Sequence, residues 1–258
     1  MEDIIVKYLE KPELKEPIFI EGLPGVGNVG KLAAEHMIEQ LDAIQFAEIY
    51  SIYLPPQVLV NDDGLARLVN NKLYYKKDVG VDSRDLIILT GDYQGMTPQG
   101  QYQMTDKLLS IAKDMDANVI VSLGGYGQGQ MVDKPRVLGA ATNQKIVEIA
   151  KEYGTVFDED HPSAGIVGAS GLLLGLGQSV YDIDGICLMG ETSGYFVDPT
   201  AAREVLEILT SYIGIEDMSY EELDDKAEEV EALTNKVLEL EGSGMGKDSK
   251  REDLSYIG

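Results

Sequence analysis

The sequence predicts an α/β protein with a mainly parallel, mixed-edged sheet covered by helices on both faces, and two observations carry that prediction. Short, near-continuously apolar runs bounded by Gly, Asp or Asn recur through residues 1–215, as buried strands require. Segments with helical patterning alternate with those runs, as in successive βαβ units.

In chain order, Ile4-Ile5-Val6-Lys7-Tyr8 reads as a first strand and Ile18-Phe19-Ile20 as the first buried one. Helical patterning follows near 28–42. Residues 46–77 break the rhythm, because the turn signals Asp63-Gly64 and Asn70-Asn71 separate runs such as Gln57-Val58-Leu59-Val60 and Leu73-Tyr74-Tyr75, which predicts antiparallel hairpins at a mixed sheet edge or an oligomer contact. Leu86-Ile87-Ile88-Leu89, Val119-Ile120-Val121-Ser122-Leu123 and Ile186-Cys187-Leu188-Met189 read as further buried strands. Helices are expected near 98–115, 137–153, 165–177 and 199–213.

A second zone, residues 216–241, opens with Ser219 and Glu222 at capping-box spacing. Leu223, Ala227, Val230, Leu233, Val237 and Leu240 then recur at steps of three and four, which predicts an acidic helix with one apolar face. That face must dock on the main domain, a sister subunit or a partner. The third zone, 242–258, begins Gly242-Ser243-Gly244-Met245-Gly246 and ends Leu254-Ser255-Tyr256-Ile257-Gly258. Such a stretch is either a fraying end or a peptide ligand on a flexible tether.

The 258 residues suffice for a large core, with 44% apolar and 26% charged residues. No run approaches the roughly 20 apolar residues of a spanning helix. Met1-Glu2-Asp3 opens on acid where a signal peptide needs positive charge, so a cytoplasmic location is expected. The single cysteine, Cys187, lies in an apolar run and reads as a buried, inert thiol. Against 21 Lys and Arg stand 45 Asp and Glu, a formal net charge of −24. Nucleic acid and anionic membranes are repelled by that field, while solubility, basic partners and cations are favoured.

The candidate sites are glycine loops. Gly22-Leu23-Pro24-Gly25-Val26-Gly27-Asn28-Val29-Gly30-Lys31 lies between a strand and a helix, where backbone amides can crowd towards an anion. Gly25, Gly27 and Gly30 match the dinucleotide fingerprint, and Glu48 stands roughly 20 residues on, where an acid meets a ribose. The same segment spells a phosphate loop through Lys31, then has Leu32 where a hydroxyl should hold magnesium. Three readings stay open: a tight turn packed closely by its glycines, an anion or partner site, and a nucleotide site. Gly124-Gly125-Tyr126-Gly127-Gln128-Gly129 is a second loop at a strand's carboxyl end, so Gly125 and Gly127 join the candidates. Glu191, in Glu191-Thr192-Ser193-Gly194-Tyr195, supplies a carboxylate at the same edge and pairs on paper with Lys31. His36 and His161 are the two histidines, and neither has metal-ligand spacing. Ser170 sits in an incomplete nucleophile elbow. No catalytic set, metal site or cofactor is expected.

Three segments carry a more specific resemblance: Glu21-Gly22-Leu23-Pro24-Gly25-Val26-Gly27-Asn28-Val29-Gly30; Gly165-Ile166-Val167-Gly168-Ala169-Ser170-Gly171-Leu172-Leu173-Leu174-Gly175-Leu176-Gly177; and Gly190-Glu191-Thr192-Ser193-Gly194-Tyr195 with Asp198-Pro199-Thr200-Ala201-Ala202. In their order and spacing, residues 15–213 resemble the archaeal branch of the proteasome-assembly-chaperone family, some of whose relatives are labelled ATP-grasp-like. The resemblance implies a three-layer α/β/α fold akin to nucleoside phosphorylases, homo-oligomeric assembly, and a non-enzymatic role with proteasome subunits or the assembled proteasome. It also implies a docking tail, since proteasome partners in these systems end in hydrophobic-tyrosine-any. Here Tyr256, Ile257 and Gly258 stand out of step, with tyrosine third from last. The competing reading is a nucleotide-binding enzyme of ATP-grasp-like or phosphorylase-like kind. A third is a structural oligomer assembled through the acidic helix.

Overall fold

The computed structural model describes residues 2–157 and 165–242, with side chains through residue 234. Its main sheet has eight strands in the order β1 (Ile4–Tyr8), β3 (Ile44–Ser51), β6 (Asn71–Val79), β7 (Arg84–Gly91), β2 (Ile18–Glu21), β8 (Val119–Gly127), β10 (Asp184–Thr192) and β9 (Val137–Ala141). The central β7, β2, β8 and β10 run parallel, and the flanking strands are antiparallel. This division follows the sequence. Ile18–Glu21 is buried at every position, as a strand covered on both sides must be, whereas β1 and β6 expose part of their length.

One side of the sheet packs Ile18, Ile20, Ile88 and Val121 with α1 (Val29–Gln40) and α5 (Pro199–Ile213). Alternate residues Phe19, Ile87, Leu89 and Ile120 join a second cluster with α2 (Pro98–Asp114) and α4 (Ala169–Leu176). Strand periodicity thus feeds two cores. The hairpin expected within 46–77 is present as β4 (Val58–Val60) and β5 (Ala66–Leu68), a separate two-stranded sheet. Gly64 takes φ 77° in its turn, a left-handed conformation that glycine adopts without strain.

Four expectations are corrected. Residues 137–153 are not one helix: Val137–Ala141 pairs antiparallel with β10, and α3 (Gln144–Glu152) begins only after Asn143, whose side chain accepts from the Ile146 amide at 3.0 Å. Ala140 and Ala141 favour helix locally, but an open edge of β10 stands beside them, and tertiary pairing overrides propensity. The helix expected over 165–177 is confined to Ala169–Leu176, because Gly165 and Gly168 hold φ of 85° and 97°, outside the helical region; a π-helical turn, Gly177–Tyr181, follows it. Gly124–Gly127 is not a loop but the end of β8, paired residue by residue with β10. Lastly, α6 (Glu221–Gly242) starts later than the capping box required: the Tyr220 carbonyl accepts from Asp224, Ser219 accepts from the Glu221 amide at 3.4 Å, and the Glu222 carboxylate pairs with Lys226.

The acidic helix does dock on the main body, through α5. Leu223 is buried and Arg203 of α5 donates to Asp224 at 2.9 Å. His36, buried on α1, has Nε2 at 2.7 Å from the Ser219 carbonyl and so ties the approach to α6. Leu233, expected on the apolar face, is 63% exposed. Cys187 is buried without a disulfide, and burial pushes its thiol up to about 12, as an inert thiol requires.

Candidate functional site

The loops carrying the sequence candidates meet at the carboxyl edge of the parallel strands, where open α/β sheets place their ligands. The chain leaves β2 at Glu21, makes a short 3-10 turn at Val26–Asn28 and enters α1 directly. Gly27 and Asn28 hold φ of 62° and 50°. The glycines serve close packing. A β-carbon on Gly22 would stand 2.2 Å from the Gly30 oxygen, one on Gly30 would stand 2.0 Å from the Leu123 oxygen, and one on Gly125 would stand 2.2 Å from the Val26 oxygen. Only backbone fits there, so α1 lies directly on β8. Gly25 is exposed and meets nothing closer than 3.9 Å.

Backbone hydrogen bonds tie the loop at two points. Asn28 donates to the Gly25 carbonyl at 3.0 Å, and the Asp198 amide donates to Gly27 at 2.9 Å. Lys31 donates to the Gly91 carbonyl at the end of β7, 3.0 Å away, with Glu35 at 3.5 Å. Glu191 lies at the end of β10, with β2 and β8 between it and β7, and the structure does not bring it to Lys31. Glu48 likewise sits in β3, paired with Lys7 at 2.9 Å, with β6 and β7 between it and the glycine loop of β2. Neither the Lys31–Glu191 pair nor the ribose acid expected of Glu48 is therefore assembled at the glycine loop. Among the described residues, no three His, Cys, Asp or Glu side chains cluster as a metal site.

Glu191 is buried and accepts from Arg136 through Nη2 at 2.6 Å, Nε at 3.0 Å and the backbone amide at 3.1 Å, and from Gln128 at 2.6 Å. The guanidinium beside it holds its carboxyl below the usual range. This clamp fixes the loop leaving β8 against β10. Arg136→Met keeps much of the stem but strands the buried carboxylate, and is expected to cost about 2 kcal/mol at pH 7. Because the Glu191 pKa is depressed, that stabilisation exists above the unfolded carboxylate range and fades as pH falls through it, so urea titrations of parent and variant should converge in acid. A gap that stays constant into acid would refute the assignment.

Sequence reasoning missed a second buried carboxylate. Glu21, 0% exposed, accepts from the Leu23 amide at 3.0 Å and from the Ser170 hydroxyl at 2.9 Å. Its signal was an acid continuing the apolar run Ile18-Phe19-Ile20. Ser170 thus serves as a tie between α4 and β2, and among the described residues no histidine meets it: His36 binds Ser219 instead, while His161 and the acidic run 158–160 lie outside the described residues. Gln94 reinforces the tie, donating to the Pro24 carbonyl at 2.8 Å and accepting from the Ala169 amide at 3.0 Å.

Exposed apolar side chains stand along this edge. Val26, Met96, Met131, Val167, Tyr195 and Phe196 are 45%, 64%, 61%, 94%, 70% and 44% exposed. Val26 stands 3.5 Å from where β-carbons on Gly127 and Gly194 would lie, and Tyr195 donates to the Gly129 carbonyl at 3.3 Å. Both glycine loops therefore back one surface. Large apolar and aromatic groups over satisfied polar groups are what a protein-binding face needs. The terminal Tyr256, Ile257 and Gly258 lie outside the described residues.

Comparison with known proteins agrees with this architecture. Pyrococcus furiosus PbaB, described as an archaeal proteasome activator, superposes with a TM-score of 0.86 at 40% identity, over 92% of this chain and 99% of that one. P. furiosus PbaA, described as an archaeal homolog of proteasome-assembly chaperone, superposes with a TM-score of 0.76 at 27% identity, over 94% of each chain. A Methanocaldococcus jannaschii relative, uncharacterized protein MJ1210, is 36% identical over 100% of this chain and 99% of its own length. The PAC2 family model matches residues 19–238, and the chain belongs to the PAC2 family, the assignment that its glycine blocks and the 165–177 and 190–202 segments had indicated.

Proposed function

We propose that this protein is a proteasome-assembly chaperone or proteasome-binding adaptor that acts by contact rather than by catalysis. The observation that carries this reading is the likeness to PbaB, 40% identity with a TM-score of 0.86 along nearly the whole of both chains. The exposed apolar edge supports it, with the buried carboxylates beneath engaged in structural bonds, Glu191 with Arg136 and Gln128, and Glu21 with Leu23 and Ser170. In this reading Val26, seated between Gly25 and Gly27 and backed by Gly125 and Gly127, is part of the partner contact, while Asn28, Gly30, Lys31 and Glu191 hold the loops in shape. The two cores on opposite sides of the sheet support a three-layer α/β/α domain over 1–215 of the nucleoside-phosphorylase kind, with the helix of 216–241 and the tail of 242–258 as appendages. The protein works as a cytoplasmic homo-oligomer whose net charge of −24 keeps nucleic acid and membrane away.

The tail is the proposed reach to the proteasome, with Tyr256 supplying a ring and hydroxyl and Gly258 a carboxylate for a pocket lysine. Full-length protein and a chain ending at residue 241 should be passed over immobilised proteasome and over free α and β subunits, with interferometry as readout. Full-length binding that the shortened chain loses is the expected result. Binding to neither particle nor subunits would reject the function, whereas equal binding by both chains would reject only the tail.

A further inference from the structure

We propose that the groove between α6 and the loops 131–133 and 193–200 is a docking site for a cationic, apolar-anchored segment of another polypeptide. This surface is separate from the tail and does not depend on the tail's engagement of a proteasome.

The groove has a volume of about 840 Å³ and opens to solvent, room for several side chains of a bound peptide. It lies beside α6 beyond the buried contact that Leu223 makes with the main core. Leu223 is buried, but Ala227 and Val230, one and two turns on, face the cleft instead of the main core. Phe196 and Val197, 44% and 43% exposed, and Met131, 61% exposed, line it from the loop side. These residues give anchors of a partner an apolar wall to bury against.

The charges on the groove have one sign. Asp133, Asp224, Glu228 and Glu231 line it, together with Asp198, and among the described residues no Lys or Arg does. Asp198 is occupied in capping α5, where it accepts from the Ala201 amide at 2.9 Å, and Asp224 holds Arg203. Among the described residues, Asp133, Glu228 and Glu231 have no cationic partner. Those carboxylates are spread along the groove and do not converge, since no metal-sized cluster forms among the described residues. A distributed negative field over an apolar wall suits lysine or arginine heads with apolar neighbours, not a single divalent ion.

Charge also decides between polypeptide occupants. A second copy, in the proposed homo-oligomer, is better seated elsewhere, since at this acidic groove its own net charge of −24 sets acid against acid. The chain's own tail offers Lys247, Lys250 and Arg251 but sets Asp248, Glu252 and Asp253 among them, three of each sign, so its net attraction is slight. A separate cationic segment alone gains from both the wall and the carboxylates.

The test is fluorescence anisotropy on the full-length protein with a short fluorescein-labelled peptide of leucine and lysine at helical spacing, beside a peptide with glutamate in place of lysine. The lysine peptide should bind and the glutamate peptide should not. Glu228→Gln with Glu231→Gln should weaken binding about five- to tenfold, and Phe196→Ala should weaken it about tenfold. Asp62→Asn with Asp63→Asn, the same charge change on the β4–β5 turn, should leave it unaltered. Equal weakening by both double variants would reduce the effect to net charge and overturn the site, as would no binding or equal binding of the glutamate peptide. Tighter binding by the chain ending at residue 241 would assign the groove to the tail and overturn the separate partner.

Discussion

Replacing Gly30 with alanine should destabilise the protein by about 3 kcal/mol or more, a loss of roughly 6–12 °C in melting temperature for a chain of this size. The added carbon would lie 2.0 Å from the Leu123 oxygen and 2.6 Å from its carbonyl carbon, and neither can rotate away. Leu123 is held in β8 by its pairing with β10, so α1 must lift instead. Lifting it pulls Ala33, Ala34 and Met37, each 0% exposed, out of the core. Two other glycines serve as controls. Gly25→Ala meets nothing closer than 3.9 Å and should change stability by less than about 0.5 kcal/mol. Gly175→Ala, inside α4 with open space around it, should stabilise by about 0.5 kcal/mol through the unfolded chain. Thermal unfolding of the three variants checks the ordering; a Gly30→Ala protein as stable as Gly25→Ala would refute the close approach of α1 to β8.

This contrast shows why sequence reading stopped where it did. β2, β7 and β8 were legible because continuous apolar runs have one buried solution. β9 was not, since Val137-Leu138-Gly139-Ala140-Ala141 becomes a strand only when β10 offers it an edge. The glycine loop was visible as a pattern, but Gly25 and Gly30 carry the same letter while one is free and the other sits against a carbonyl. The separation of Lys31 from Glu191 depends on strand order, which no local spacing encodes. For the same reason the exposed edge was hidden: Val26, Val167 and Phe196 are distant in sequence, and each alone reads as an ordinary loop residue. The tail at 256–258 was readable as a motif and lies outside the described residues.

The second large effect is a fall in stability between about pH 4.5 and 7, carried by Glu21. Burial drives its pKa up to about 7 from 4.5, opposed by the hydrogen bonds from the Leu23 amide and the Ser170 hydroxyl. At acid pH the carboxyl is protonated in both folded and unfolded chains, so it costs nothing. As pH rises past the unfolded value, the unfolded chain releases its proton while the folded chain keeps it, and stability drains away until the folded pKa is passed. The accumulated loss is about 3 kcal/mol for a shift of this size. Cys187, a neighbour whose thiol is raised to about 12, stays neutral throughout that window and does not compete. Glu21→Gln keeps an oxygen for the Leu23 amide and places a donor against Ser170, so it should match the parent at low pH and exceed it by about 3 kcal/mol near pH 8. Urea unfolding of both proteins across that range isolates the term, because every other titration cancels in the difference. A difference that does not grow with pH would show that Glu21 is ionised in the fold at little cost, its charge held by the Leu23 amide and the Ser170 hydroxyl.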